Sequence, residues 1–118
     1  MIVPSFLINQ AEIAKGVKKV EKKFKPDVVR IFHTIRENWM GDPALYFHVL
    51  LSDEVADKMA RDFAKRKPLS KYTRTLEETM EKQIDPLGKW GLFPYFSYRS
   101  VSEQAELKDR DWESDGAA

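Results

Sequence analysis

From Val28 to Trp39 the side chains alternate in character: Val29, Ile31, His33, Ile35 and Trp39 fall on one side of an extended chain, Arg30, Phe32, Thr34, Arg36 and Asn38 on the other. The alternation breaks at Gly41-Asp42-Pro43, which is turn chemistry, and strand-favouring residues resume from Ala44 to Leu51, so the two runs predict a β-hairpin. Pairing odd positions with odd adds Leu45, Phe47, Val49 and Leu51 to the first strand's apolar side. One sheet face then becomes core, and the other carries Arg30, Phe32, Thr34, Arg36, Asn38, Tyr46, His48 and Leu50.

The apolar face needs a cover, and helical patterns on both sides of the hairpin supply it. Asn9 followed by Glu12 resembles a capping box, with Ile8 and Ile13 as a hydrophobic staple. Ile13, Val17, Val20 and Phe24 form one stripe of the helix that follows, backed by six lysines and ended by Pro26. After the hairpin, Ser52 or Asp53 caps a helix with Val55, Met59 and Phe63 on its stripe. Pro68 interrupts, Ser70 caps again, and Tyr72, Leu76, Met80 and Ile84 recur every four residues until Asp85-Pro86. Lys89-Trp90 reads as a loop bracketed by Gly88 and Gly91. Leu92 to Arg99 is rich enough in aromatics to be a third strand, with Pro94 marking an edge or a strand start. Ser100 and Glu103 cap a last short helix to about Leu107.

The expected fold is therefore a two-layer α+β domain of order α-β-β-α-α-β-α, with a small, mainly antiparallel three-stranded sheet packed against helices. Residues 1–108 make this single domain. Residues 109–118 form an acidic, mobile C-terminal tail with Trp112 as its one anchor.

Composition narrows the chemistry. The chain has 118 residues and no cysteine, which excludes a disulfide framework, a thiolate metal site and a cysteine nucleophile. No apolar run approaches the roughly 20 residues of a membrane span, and the opening residues lack the basic region of a signal peptide, so a cytoplasmic location without membrane contact is expected. Lys and Arg number 20 against 19 Asp and Glu, a net charge of +1 that excludes long-range steering. That sum conceals segregation: residues 1–26 carry net +4, residues 61–74 net +5 and residues 101–118 net −4.

The sequence holds neither a P-loop nor a dinucleotide glycine fingerprint, and neither H-E-x-x-H nor G-x-S-x-G. No catalytic residue, metal site or cofactor is assigned. Asp42, Asp53, Glu54 and Asp57 gather near a helix start, where capping and the helix dipole explain acids without a cation. His33 and His48 sit one on each hairpin arm, but the proposed register places them on opposite faces.

Two surfaces remain. The first is a partner- or ligand-binding face of Arg30, Phe32, Arg36, Tyr46 and His48, extended by Tyr95 and Arg99 of the third strand. Interleaved aromatics and arginines of this kind are enriched at protein interfaces, and a small sheet with exposed edges favours self-association. The expected function is a non-catalytic protein-interaction module or accessory subunit, a homodimer through this face. The second surface is a candidate phosphate-contacting patch of Arg61, Lys65, Arg66, Lys67, Lys71 and Arg74, the basis of a less favoured nucleic-acid-binding reading. A third reading is a small hydrolase centred on His48 with Arg36 and Glu37 nearby.

Overall fold

The turn that joins the first two strands is built around one buried carboxamide. Asn38 Oδ1 accepts hydrogen bonds from the backbone N–H groups of Met40 and Asp42, each at 2.9 Å, while Asn38 Nδ2 donates to the Tyr95 hydroxyl at 3.1 Å. Gly41, at φ +81°, supplies the left-handed backbone that the tight reversal requires. The closed turn aligns strand β1 (Val28–Glu37) with strand β2 (Pro43–Leu51) in an antiparallel pair. Ile31 faces Val49, His33 faces Phe47 and Ile35 faces Leu45, the odd-with-odd register expected from the alternation.

The computed structural model describes residues 8–65, 70–113 and 116–117. Helix α1 (Gln10–Lys23) starts where Asn9 Oδ1 accepts from the Glu12 N–H at 3.0 Å. Helices α2 (Asp53–Ala64), α3 (Ser70–Ile84) and the short α4 (Pro86–Trp90) follow the hairpin and lead to strand β3 (Phe93–Ser100). Helix α5 (Val101–Leu107) follows directly, its start held by the Ser100 hydroxyl, which accepts from the Glu103 N–H at 3.0 Å. A 3₁₀ turn at Asp111–Glu113 and the two-residue strand β4 (Gly116–Ala117) complete the order. Pro68, expected to divide the second and third helices, lies outside the described residues. No described helix is long and apolar enough to cross a membrane.

The α+β class and the order α-β-β-α-α-β-α are as expected, but the sheet is mixed rather than mainly antiparallel. Among the described residues its strand order is β3-β2-β1-β4, with β3 parallel to β2 and β4 parallel to β1. A parallel neighbour needs a crossover of a dozen or more residues, and the run from α2 to α4 provides it.

The core lies between the odd face of the sheet and helices α1 and α3. Ile13, Val17 and Val20 of α1 and Leu76, Met80 and Ile84 of α3 pack on Ile31, Ile35, Leu45, Phe47 and Val49. The two helices approach closely at Gly16, where a Cβ would come within 2.7 Å of the Ile84 side chain.

Three local readings need correction. A bulge between Val28 and Arg30 gives the core position to Val28 and leaves Val29 45% exposed. Strand β1 ends at Glu37, so Trp39 is not on the apolar side but at the hairpin tip, 87% exposed. Residues 86–90 form a helical turn rather than a loop, because Asp85 Oδ1 accepts from the Gly88 N–H at 3.2 Å and Pro86 fits the first helical position.

Asn38→Ala removes three hydrogen bonds from a buried site and is expected to cost about 2–3 kcal/mol, a fall in Tm of roughly 10 °C for a chain of this length. Thermal denaturation checks this; a loss under about 0.5 kcal/mol contradicts the role given to the carboxamide.

Candidate functional site

With the odd residues of β1 and β2 in the core, their even residues and the odd residues of β3 form a grid on the opposite face. Its rows are Arg36, Ala44 and Phe93; Thr34, Tyr46 and Tyr95; Phe32, His48 and Ser97; and Arg30, Leu50 and Arg99. Successive rows lie about 6.6 Å apart along the strands.

Guanidinium groups lie over rings across this grid. The Arg36 guanidinium is 4.3 Å from the centre of the Tyr46 ring, and Tyr46 stacks on Tyr95 at 5.1 Å with 20° between planes. Arg30 lies 4.6 Å over Phe32. Such contacts hold a guanidinium flat while its N–H edges stay directed outward in the plane.

The segment after α5 covers half of this face. Lys108, at φ 52°, turns the chain back, and Gln104 Nε2 donates to the Asp109 carbonyl at 2.7 Å. Asp109 Oδ1 then accepts from the Trp112 N–H at 3.3 Å. Trp112, only 6% exposed, stacks on His48 at 5.0 Å with 8° between planes and meets Phe32 edge-on at 6.0 Å. Its Nε1–H donates to the Ser97 hydroxyl at 3.2 Å, and the Arg99 guanidinium lies over it at 4.8 Å. Arg99 Nη1 also donates to Gln104 Oε1 at 2.8 Å and to Asp109 Oδ2 at 3.2 Å. The acidic segment thus meets Arg99 of the sheet face.

The uncovered half is a cleft of about 460 Å³ lined by Arg36, Tyr46, His48, Tyr95, Ser97 and Arg99, with Asp109, Asp111 and Trp112 on the side of the covering segment. That volume is in the range of ligand pockets. Of the seven face residues read from the sequence, Arg36, Tyr46, His48, Tyr95 and Arg99 come together here. Phe32 lies beneath Trp112 at 3% exposure, and Arg30 stands above Phe32 at the far row. Asp109, Gln104 and Trp112 were not among the residues expected at this face; the one signal for them was a lone tryptophan in an acidic stretch.

His48 is the titratable group at the centre. Burial is the main cause that lowers its pKa below the ordinary imidazole value, and the charges of Arg36 and Arg99 act the same way. The neutral ring donates Nδ1–H to the Trp112 carbonyl at 2.8 Å, which leaves Nε2 as the acceptor nitrogen. The nitrogen that a carboxylate would orient in a general base is therefore taken by a backbone carbonyl. Glu37, the acid of the hydrolase reading, is exposed opposite Pro43 and does not line the cleft. His33 is buried and pairs with Phe47, in register with the core. The Trp112 N–H, and after it Arg99, lower the pKa of Asp109 below the usual carboxylate value.

The acids grouped near α2 have a structural use. Asp53 accepts from the Ser102 N–H at 3.0 Å and from its hydroxyl, which ties α2 to the start of α5. Among the described residues no group of three or more His, Asp or Glu could share a metal ion. In the basic patch, Arg61 and Lys65 are exposed at the end of α2 and Arg74 is exposed on α3. Lys71 belongs to α3, while Arg66 and Lys67 lie outside the described residues.

Comparison with known proteins returns no matching family model, no matching curated protein and no matching solved structure.

The state of His48 yields a pH prediction. The unfolded chain takes up this proton near pH 6.5 and the folded chain only at lower pH. Between those values the unfolded state binds more protons, so stability falls as the pH drops below about 6.5. His48→Gln flattens that dependence. NMR titration of the imidazole Hε1 should give a pKa under 6.5 that rises in Trp112→Ala, which relieves the burial; a value at or above 6.5 in the parent protein contradicts the account.

Proposed function

We propose that this chain is a non-catalytic protein-interaction module of the cytoplasm, working through the arginine and aromatic face of its sheet. The observation that carries the reading is the convergence of Arg36, Tyr46, His48, Tyr95 and Arg99, from three strands, on one open cleft. These side chains are suited to recognition. Two guanidiniums are held over rings, a tyrosine pair is pre-stacked, and the central imidazole is neutral with one nitrogen committed to the backbone. Rigid aromatic and arginine groups bind with little loss of side-chain freedom.

Self-association belongs to the same proposal. Among the described residues strand β3, eight residues long, is an edge strand, and Phe93 beside the cleft is 42% exposed. An edge of this kind offers unpaired backbone groups to a second copy. Light scattering at tens of micromolar is expected to give a dimer mass for the parent protein and a monomer mass for Phe93→Glu, which leaves the cleft side chains in place. A monomer mass for the parent protein overturns the self-association.

A further inference from the structure

Each half of the arginine and aromatic face sets a guanidinium over a ring, which belongs to the covering segment in one half and to the sheet itself in the other. In the covered half Arg99 lies over the Trp112 ring and binds the carboxylate of Asp109, three residues earlier in the chain. In the open half Arg36 lies over Tyr46, which is stacked on Tyr95, and among the described residues no carboxylate pairs with Arg36. The covering segment therefore displays, on the molecule's own surface, chemistry that this face accepts: a planar ring against ring side chains of the sheet and a carboxylate on a guanidinium.

We propose that the open half binds a peptide segment of a partner protein that carries one aromatic side chain, seating on the Tyr46–Tyr95 stack, and one carboxylate, held by Arg36. This rests on reading the face as a protein-recognition surface and specifies what it recognises. The charge of the cleft selects among anions. Asp109 and Asp111 line the same cleft as the two arginines, so a polyphosphate backbone meets two carboxylates, whereas a single carboxylate reaches Arg36 alone. Asp109 is already engaged with Arg99 and the Trp112 N–H, which leaves Arg36 as the guanidinium that an incoming acid can claim. Neutral His48, at the floor, adds no charge that would favour a phosphate.

The test is a titration of the full chain with the capped tetrapeptide Asp-Ala-Ala-Trp, followed by amide shifts of Tyr46, His48 and Tyr95. Saturable shifts are expected. Binding should weaken about tenfold when the peptide's Asp becomes Asn, when its Trp becomes Ala, and in Arg36→Gln, as loss of a charge-assisted hydrogen bond or a buried ring implies. Arg36 is exposed, so this variant is expected to fold, and circular dichroism verifies it. Arg74→Gln, an exposed charge on α3 outside the cleft, should change the affinity less than twofold.

Absence of saturable shifts at millimolar peptide overturns the proposal. So does binding lost in Arg99→Gln and kept in Arg36→Gln, which would mean exchange with the covering segment. Tighter, Arg36-dependent binding of a single-stranded oligothymidine overturns it in favour of nucleic acid. If the peptide fails while the parent protein is a dimer that Phe93→Glu dissociates, only this inference falls. If the peptide binds a chain that is monomeric, only the self-association falls.

Discussion

The odd-with-odd register of β1 and β2 is the constraint on which the rest of the molecule depends. Side chains of a strand alternate with a period of two, so a slip of one residue would move Arg30 and Arg36 into the layer beneath α1 and α3 and turn Ile31 and Ile35 to the outside. Burying unpaired guanidiniums in an apolar layer costs several kcal/mol for each. The register is held from both ends. At the tip, the Asn38 carboxamide closes the turn and reaches Tyr95. At the base, the Ile31 N–H donates to Glu21 Oε1 at 2.6 Å, which ties the strand just beyond the bulge to α1.

Once the register is set, the two faces have different tasks. The odd face gives packing, with α1 and α3 close enough to require Gly16 at their contact. The even face collects arginines and aromatics, and its exposure would leave Phe32 and His48 in water without Trp112. The indole removes both from solvent, and it is itself held by Ser97, Asp109 and Arg99. Charge segregation along the chain acquires a physical meaning here, since acids of the C-terminal segment stand beside arginines of the sheet. The neutral total charge is compatible with a locally structured site.

Much of this architecture was legible before any coordinates. Alternation and turn chemistry identified the hairpin, its register and three of the residues that line the cleft, Arg36, Tyr46 and His48, because a half-buried antiparallel pair obeys a strictly local rule; Tyr95 and Arg99 followed from the aromatic run of the third strand. What escaped had no local signal. The bulge that displaces Val29 depends on how the chain leaves α1, and the direction of β3 depends on the crossover that brings it beside β2. Asp85-Pro86 is ambiguous in itself, since the same pair that stops one helix also caps and starts another. Trp39 was drawn into the strand by its hydrophobicity, although the Asn38 side chain had already committed the backbone to a turn. Trp112 lies in a segment whose charge argues for solvent and whose one indole argues for burial, and the sequence holds no measure of which prevails.

The account stands on Trp112 being seated over His48 and Phe32, which divides the face into a covered and an open half. The most direct measurement is a set of nuclear Overhauser contacts from the Trp112 ring protons in the full chain. Cross-peaks to the His48 and Phe32 rings, with His48 ring protons shifted upfield by the stacked indole, are the predicted result. An indole with solvent-like shifts and no contact to either ring would contradict it.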